Sequence, residues 1–110
     1  MKLSKIISEL ALTVFNESVD QNHDVNWGYT SDLLSDVMGH AREGEIWITL
    51  QSHTNVAAIA SLKDLAAIVL VKGTQPDESM LQKGSEAGIP LLGTRDSSFI
   101  VSGKIYELLK

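Results

Sequence analysis

Gln51, Ser52, His53, Thr54 and Asn55 are the sharpest chemical constellation in this 110-residue sequence, because they stand where an apolar strand pattern stops and a helical one begins. Imidazole, amide and hydroxyl groups in that setting suit an anion. In open α/β sheets ligands gather at the carboxyl ends of strands, and unpaired backbone N–H groups at a helix start favour phosphate or carboxylate. Tyr29 and Asp32 are counted with them, so the candidate ligand site is Gln51, Ser52, His53, Thr54, Asn55, Tyr29 and Asp32. A plainer role competes. Ser52 or Thr54 can cap the helix while Gln51 and His53 satisfy loop carbonyls.

Other residue types that could do chemistry are scattered. His23, His40 and His53 are the only histidines, and no two lie at the three- or four-residue spacing that places metal ligands on one helical face. Asp32 and Asp36 do lie at helical spacing and could offer oxygens to a hard cation. At a helix start, however, one aspartate commonly caps and the other sits solvated where negative charge suits the macrodipole. No Gly-x-Ser-x-Gly elbow, Gly-x-x-x-x-Gly-Lys phosphate loop or Gly-x-Gly-x-x-Gly fingerprint occurs. The expectation is therefore no catalytic residue, no metal and no cofactor. The alternative, a small enzyme using Asp32, Asp36 and His53 around a metal or phosphate, requires the three to converge within about 6 to 8 Å.

The elements that must position these groups are legible as patterns. Leu3, Ile6, Ile7 and Leu10 have helical spacing behind Ser4, a possible cap, and Leu12 to Phe15 reads as a brief strand. Asn16 to Asp24 is polar and predicts a mobile surface loop. Extended chain resumes from Val25 to Tyr29. Ser31 or Asp32 is then expected to cap a helix with Leu33, Leu34, Val37 and Met38 on one face. Glu45 to Leu50 is too apolar for a half-exposed strand and reads as a central one. A helix through Val56 to Leu62 follows, then Ala66 to Val71, a continuous β-branched strand. A turn at Gly73 to Pro76 leads to a helix begun at Asp77 and closed at Gly88, a strand at Pro90 to Leu92, and a last helix capped by Ser97 or Ser98. Phe99, Ile100, Ile105, Leu108 and Leu109 are its expected apolar members. Gly103 inside that helix costs about 1 kcal/mol relative to alanine, and a natural reason would be close approach of another backbone. Trp27 and Trp47 read as core or interface anchors.

Strands alternating with helices predict an α/β fold, a single three-layer domain over residues 1–110 with a mixed, mostly parallel sheet of about five strands. Composition bounds the rest. With 44% hydrophobic and 21% charged residues the chain is globular rather than disordered. It has no cysteine, which removes disulfides, thiolate metal sites and a cysteine nucleophile and fits a reducing cytoplasm. The net charge of -5, with nine Lys and Arg scattered singly, gives no basic stripe for nucleic acid. No secretory signal and no membrane-spanning apolar run is read.

Gly28-Tyr29-x-Ser31-Asp32-Leu33-Leu34-Ser35-Asp36-Val37-Met38, then Gly44-Glu45-Ile46-Trp47-Ile48-Thr49 with Gln51 and His53, then Gly73, Pro76 and Gly88-Ile89-Pro90-Leu91-Leu92, resembles the DRTGG domain. The name-giving segment of that family comes just before the tyrosine, and here Asn22 to Gly28 keeps little of it beyond Val25 and Gly28. The resemblance implies an α/β fold similar to the N-terminal domain of HPr kinase/phosphorylase. It also implies a regulatory or dimer-forming module without a catalytic role of its own. The expected protein is a cytoplasmic prokaryotic regulatory domain, a homodimer that binds a partner enzyme or a small ligand such as a nucleotide, a phosphate-bearing metabolite or an anion.

Overall fold

Ile46, Ile48, Ala67 and Val69 pack on one side of a sheet, while Trp47, Ile68 and Leu70 pack on the other. Such alternation follows from the two-residue period of strand side chains, and burial on both faces explains why these strands are almost continuously apolar. The computed structural model describes all 110 residues. Its five strands are β1 (Thr13–Val14), β2 (Trp27–Thr30), β3 (Glu45–Thr49), β4 (Ala67–Leu70) and β5 (Leu91–Gly93). They lie in the order β1-β5-β4-β3-β2, with β1 antiparallel to β5 and the other neighbours parallel.

Five helices complete the chain: α1 (Leu3–Leu10), α2 (Leu34–His40), α3 (Thr54–Leu62), α4 (Glu78–Ala87) and α5 (Ser98–Leu109). Leu3 and Ile6 of α1 join Val101 and Ile105 of α5 against one face of the sheet. Val37 of α2, Val56, Ala57 and Ala60 of α3 and Met80 of α4 cover the other. The result is the expected three-layer α/β domain with a mixed five-stranded sheet. No helix is long and apolar enough to cross a membrane.

Two of the expected caps form. The Asp77 carboxylate accepts from the Met80 N–H at 2.7 Å, and Ser97 Oγ accepts from the Ile100 N–H at 3.4 Å. Gly88 ends α4 with φ of 73°, a left-handed turn that glycine takes without a Cβ penalty. The other expected caps do not. Ser4 lies inside α1, which starts after Lys2 with no side-chain cap. Leu33 holds the cap position of α2, also without a side-chain bond, and it is 65% exposed. Ser31 Oγ instead accepts from the Leu33 N–H, which tightens the turn one step before the helix. Met38 is exposed as well, so the apolar face of α2 narrows to Val37 and the half-buried Leu34.

The stretch expected to be a mobile loop, Asn16 to Asp24, is tied down at both ends. The buried Asn16 amide donates to the Ile89 carbonyl at 2.9 Å and accepts from the Leu91 N–H at 2.8 Å, so it splices this segment onto the approach to β5. At the other end Leu3 N–H donates to the His23 carbonyl and Val25 N–H to the Met1 carbonyl, each at 2.8 Å. The Asn16 amide serves backbone satisfaction across 73 and 75 residues of sequence.

Candidate functional site

The loop after β3 is held by one carboxylate. Asp32 Oδ1 accepts from Thr49 Oγ1 at 2.9 Å and from the Leu50 N–H at 2.8 Å, and the Asp32 carbonyl accepts from Gln51 Nε2 at 3.2 Å. Thr49 Oγ1 in turn accepts from the Gln51 N–H at 3.2 Å. Asp32 therefore does not cap α2; it bridges the exits of β2 and β3, which pair in parallel and deliver both turns to the same edge. Trp47 adds a brace through Nε1, which donates to the Ser31 carbonyl at 2.9 Å. The exit of β3 is a rigid frame.

Beyond the frame the side chains are bare. Neither Ser52 nor Thr54 caps α3: His53 occupies the cap position with extended φ and ψ and makes no side-chain bond to the helix. Ser52 contributes only its carbonyl, which accepts from the Asp77 N–H at 2.9 Å and thereby places the starts of α3 and α4 side by side. Ser52 and His53 are half-buried, while Thr54 and Asn55 are exposed at the first turn. Gln51 and Asp32 thus belong to the support, and Ser52 to Asn55 to the free edge.

Tyr29 belongs elsewhere. Its hydroxyl donates to Asp36 Oδ1 at 2.9 Å, and His40 Nδ1 stands 3.3 Å from the same oxygen one helical turn on. Partial burial and then the bond to the Asp36 carboxylate raise the phenol pKa. The same phenol bond, with Ser31 and His40 nearby, lowers that of Asp36. Asp32 and Asp36 are consequently engaged with different neighbours, Thr49 and Leu50 in one case and Tyr29 and His40 in the other, and His53 makes no side-chain hydrogen bond to either. No group of three His, Cys, Asp or Glu side chains that could hold a metal ion is present.

In an open sheet the crevice expected to take a ligand lies where successive connections leave toward opposite faces. Helices α2, α3 and α4 all lie on one face, and only the connection from β5 to α5 crosses to the other. The switch therefore falls between the ends of β4 and β5, not at β3. Backbone fills it: Lys72 N–H donates to the Asp96 carbonyl and Gly73 N–H to the Thr94 carbonyl, each at 2.9 Å. Backbone thus joins the strand ends at the switch point, while the side chains of Ser52 to Asn55 at the exit of β3 have no partners.

With this architecture in view, the comparisons with known proteins are informative about fold. No protein-family model and no curated protein matches the sequence. A solved structure of the CBS and DRTGG domains of the regulatory region of Clostridium perfringens pyrophosphatase, complexed with the activator diadenosine tetraphosphate, superposes with a TM-score of 0.71. At 15% identity the alignment covers 96% of this chain and 46% of that one. The chain has a DRTGG-like fold. This DRTGG-like domain spans less than half the length of the regulatory region it resembles.

The sequence reasoning missed a second surface of the DRTGG-like domain. Trp27 on β2 and Phe99, Ile100 and Tyr106 on α5 are exposed, Phe99 by 84%. Along with Gly28, Thr30, Ile48 and Gly103 they line a groove of about 850 Å³ between the helix and the outermost parallel strand. Trp27 and Tyr106 meet edge to face with ring centroids 5.3 Å apart, and Thr30 Oγ1 lies 2.8 Å from Ser102 Oγ across the groove floor. Phe99 and Ile100 are thus not packed members of α5, as their apolarity suggested. The signal was available in the spacing. Val101, Ile105 and Leu108 form one helical stripe, toward the sheet, and Phe99, Gly103 and Tyr106 form a second that faces out.

Proposed function

We propose that this DRTGG-like domain is a non-catalytic regulatory module of the cytoplasm that binds a small phosphate-bearing ligand at the start of α3 and works as a homodimer. Four side chains support the ligand part: Ser52, His53, Thr54 and Asn55 make no side-chain hydrogen bond within the chain, yet they stand on a loop fixed by Asp32, Thr49 and Gln51. A rigid support with unpaired donors at a helix start is the arrangement that favours an anion over water. Gln51 and Asp32 position the site, and Tyr29 steadies α2 beneath it through Asp36.

The relative of this fold binds diadenosine tetraphosphate as an activator through its regulatory region, which makes adenine nucleotides and polyphosphates the first ligands to try. A ligand at a hundredfold excess over its Kd stabilises the folded state by about 2.7 kcal/mol. Thermal unfolding with inorganic phosphate, ADP, ATP and diadenosine tetraphosphate checks this. One of them is expected to raise Tm by several degrees, and His53→Ala is expected to remove the shift. A flat response across the panel overturns the ligand part.

A further inference from the structure

Gly103 sits in the middle of a 12-residue helix, where glycine costs about 1 kcal/mol against alanine, and apart from its chain neighbours and the adjacent backbone of its own helix nothing lies within 4 Å of where its Cβ would be. The backbone that would justify it is not in this molecule. We infer that a second copy of the chain docks on this face, with α5 crossing α5 of its partner antiparallel at Gly103 so that the twofold axis passes beside that residue. The inference rests on the homodimer part of the proposed function and assigns the interface.

Three observations select a second copy as the occupant. First, the surface carries a knob and a hole side by side: Phe99 projects, 84% exposed, next to the depression over Gly103 that Trp27 and Tyr106 border. A twofold contact requires a self-complementary patch, and a knob beside a hole is one. Antiparallel crossing at Gly103 sets residues equally spaced on either side of it against each other, which brings Ile100 of one copy to Tyr106 of the other. Second, the groove lining holds one lysine and one glutamate, Lys104 and Glu107, so it is locally neutral in a chain of net charge -5. It is a face where two acidic copies meet without like-charge repulsion. Third, the face extends beyond the groove, along the length of α5 and the free edge of β2. A stable dimer needs roughly 800 Å² per partner, about a seventh of the 5749 Å² surface. Helix α5 is about 18 Å long, and β2, which pairs only with β3, leaves its outer edge open alongside.

The absence of cysteine makes the test direct. A chain carrying both Ile100→Cys and Tyr106→Cys leaves Gly103 intact and sets a thiol of one copy against a thiol of the other, at the ~4.4–6.8 Å Cα separation that a disulfide spans. Mild diamide oxidation is expected to yield a cross-linked dimer, while Gln82→Cys, exposed on α4 across the sheet, yields none. In sedimentation equilibrium the cysteine-free chain is expected to dimerise. Phe99→Asp, at a position too exposed to disturb folding, should weaken that dimer by roughly 30-fold or more. A dimer untouched by Phe99→Asp, or one that gives no cross-link in the chain carrying Ile100→Cys and Tyr106→Cys, overturns this interface and leaves the homodimer reading standing. A monomer from micromolar to millimolar concentration overturns both. Native mass spectrometry showing a small molecule held by the wild type and lost in Phe99→Asp would make the groove a ligand pocket instead, and would equally overturn the inference.

Discussion

The exit of β3 and the groove beside α5 both leave groups without partners, but the groups differ in kind. At the β3 exit they are hydroxyl, amide and imidazole groups raised on a hydrogen-bonded frame; at α5 they are aromatic rings around a bare glycine. Bare polar groups are well solvated by water and gain from a ligand only if they are held still. Bare aromatic groups are poorly solvated and gain from any apolar cover. The first region therefore depends on rigidity beneath it and the second on shape alone.

Removing the frame should show the difference at its largest. Asp32→Ala deletes the acceptor of the Thr49 hydroxyl and of the Leu50 N–H, and Thr49 is fully buried. Bonds to a charged group are worth about 1.5–3 kcal/mol each in net terms. The expected loss is about 2–3 kcal/mol, read as a lower denaturant midpoint at unchanged m. Ligand response should vanish too, although Asp32 supports the free edge without being part of it. Asp32→Asn keeps an acceptor oxygen and should retain part of both. An Asp32→Ala chain as stable as wild type would mean that the frame is not rigid because of Asp32.

Gly103→Ala tests the other region with the opposite sign. With nothing beyond its chain neighbours and its own helix backbone within 4 Å of its Cβ position, the substitution removes the backbone entropy cost at no steric cost and should stabilise the monomer by about 1 kcal/mol. Urea unfolding in the Phe99→Asp background, where dimerisation does not contribute, isolates that term. A loss of stability in Gly103→Ala would mean that Gly103 serves its own fold rather than a second copy.

How much of each region could be read in advance follows from the same contrast. The sheet and its helices were legible because burial on two faces writes long apolar runs such as Ala66 to Val71, and helices α4 and α5 carried a correct cap each in Asp77 and Ser97. The candidate edge at Gln51 to Asn55 was legible as a place, since a strand end followed by a helix start is a local pattern. Its division into frame and free edge was not. Which polar groups are satisfied depends on Asp32, which lies 17 and 18 residues away from its partners in sequence. Asn16 was misjudged for the same reason, its partners Ile89 and Leu91 being 73 and 75 residues away. Exposure of Phe99 was legible only in the spacing of α5, because composition records that a residue is apolar and not which stripe of its helix meets the sheet.

His53→Ala should change stability by no more than about 0.5 kcal/mol, since the imidazole makes no hydrogen bond, while cancelling the ligand shift. That dissociation of binding from stability is what separates the free edge from the frame.

The smallest effect is electrostatic and links the two helix starts. The Asp77 carboxyl is held below its ordinary pKa first by the Met80 N–H, then by the Ser79 hydroxyl, with a further contribution from the charge of His53. A carboxylate with a depressed folded pKa contributes stability that is fully present above its unfolded value near ~3.9 and is lost as pH falls through the lower folded value. Asp36, lowered chiefly by the Tyr29 phenol, behaves alike. Tyr29 carries the opposite sign: its raised pKa means that its contribution is complete below about pH 10 and disappears as pH climbs through the folded value. These three groups should therefore make stability fall at both extremes of pH. In a carboxyl-carbon NMR titration His53→Ala should move the Asp77 midpoint slightly upward and leave Asp36 unmoved. If instead the Asp77 midpoint stays put, His53 is not close enough to act on the start of α4, and the two helix starts cannot share a ligand.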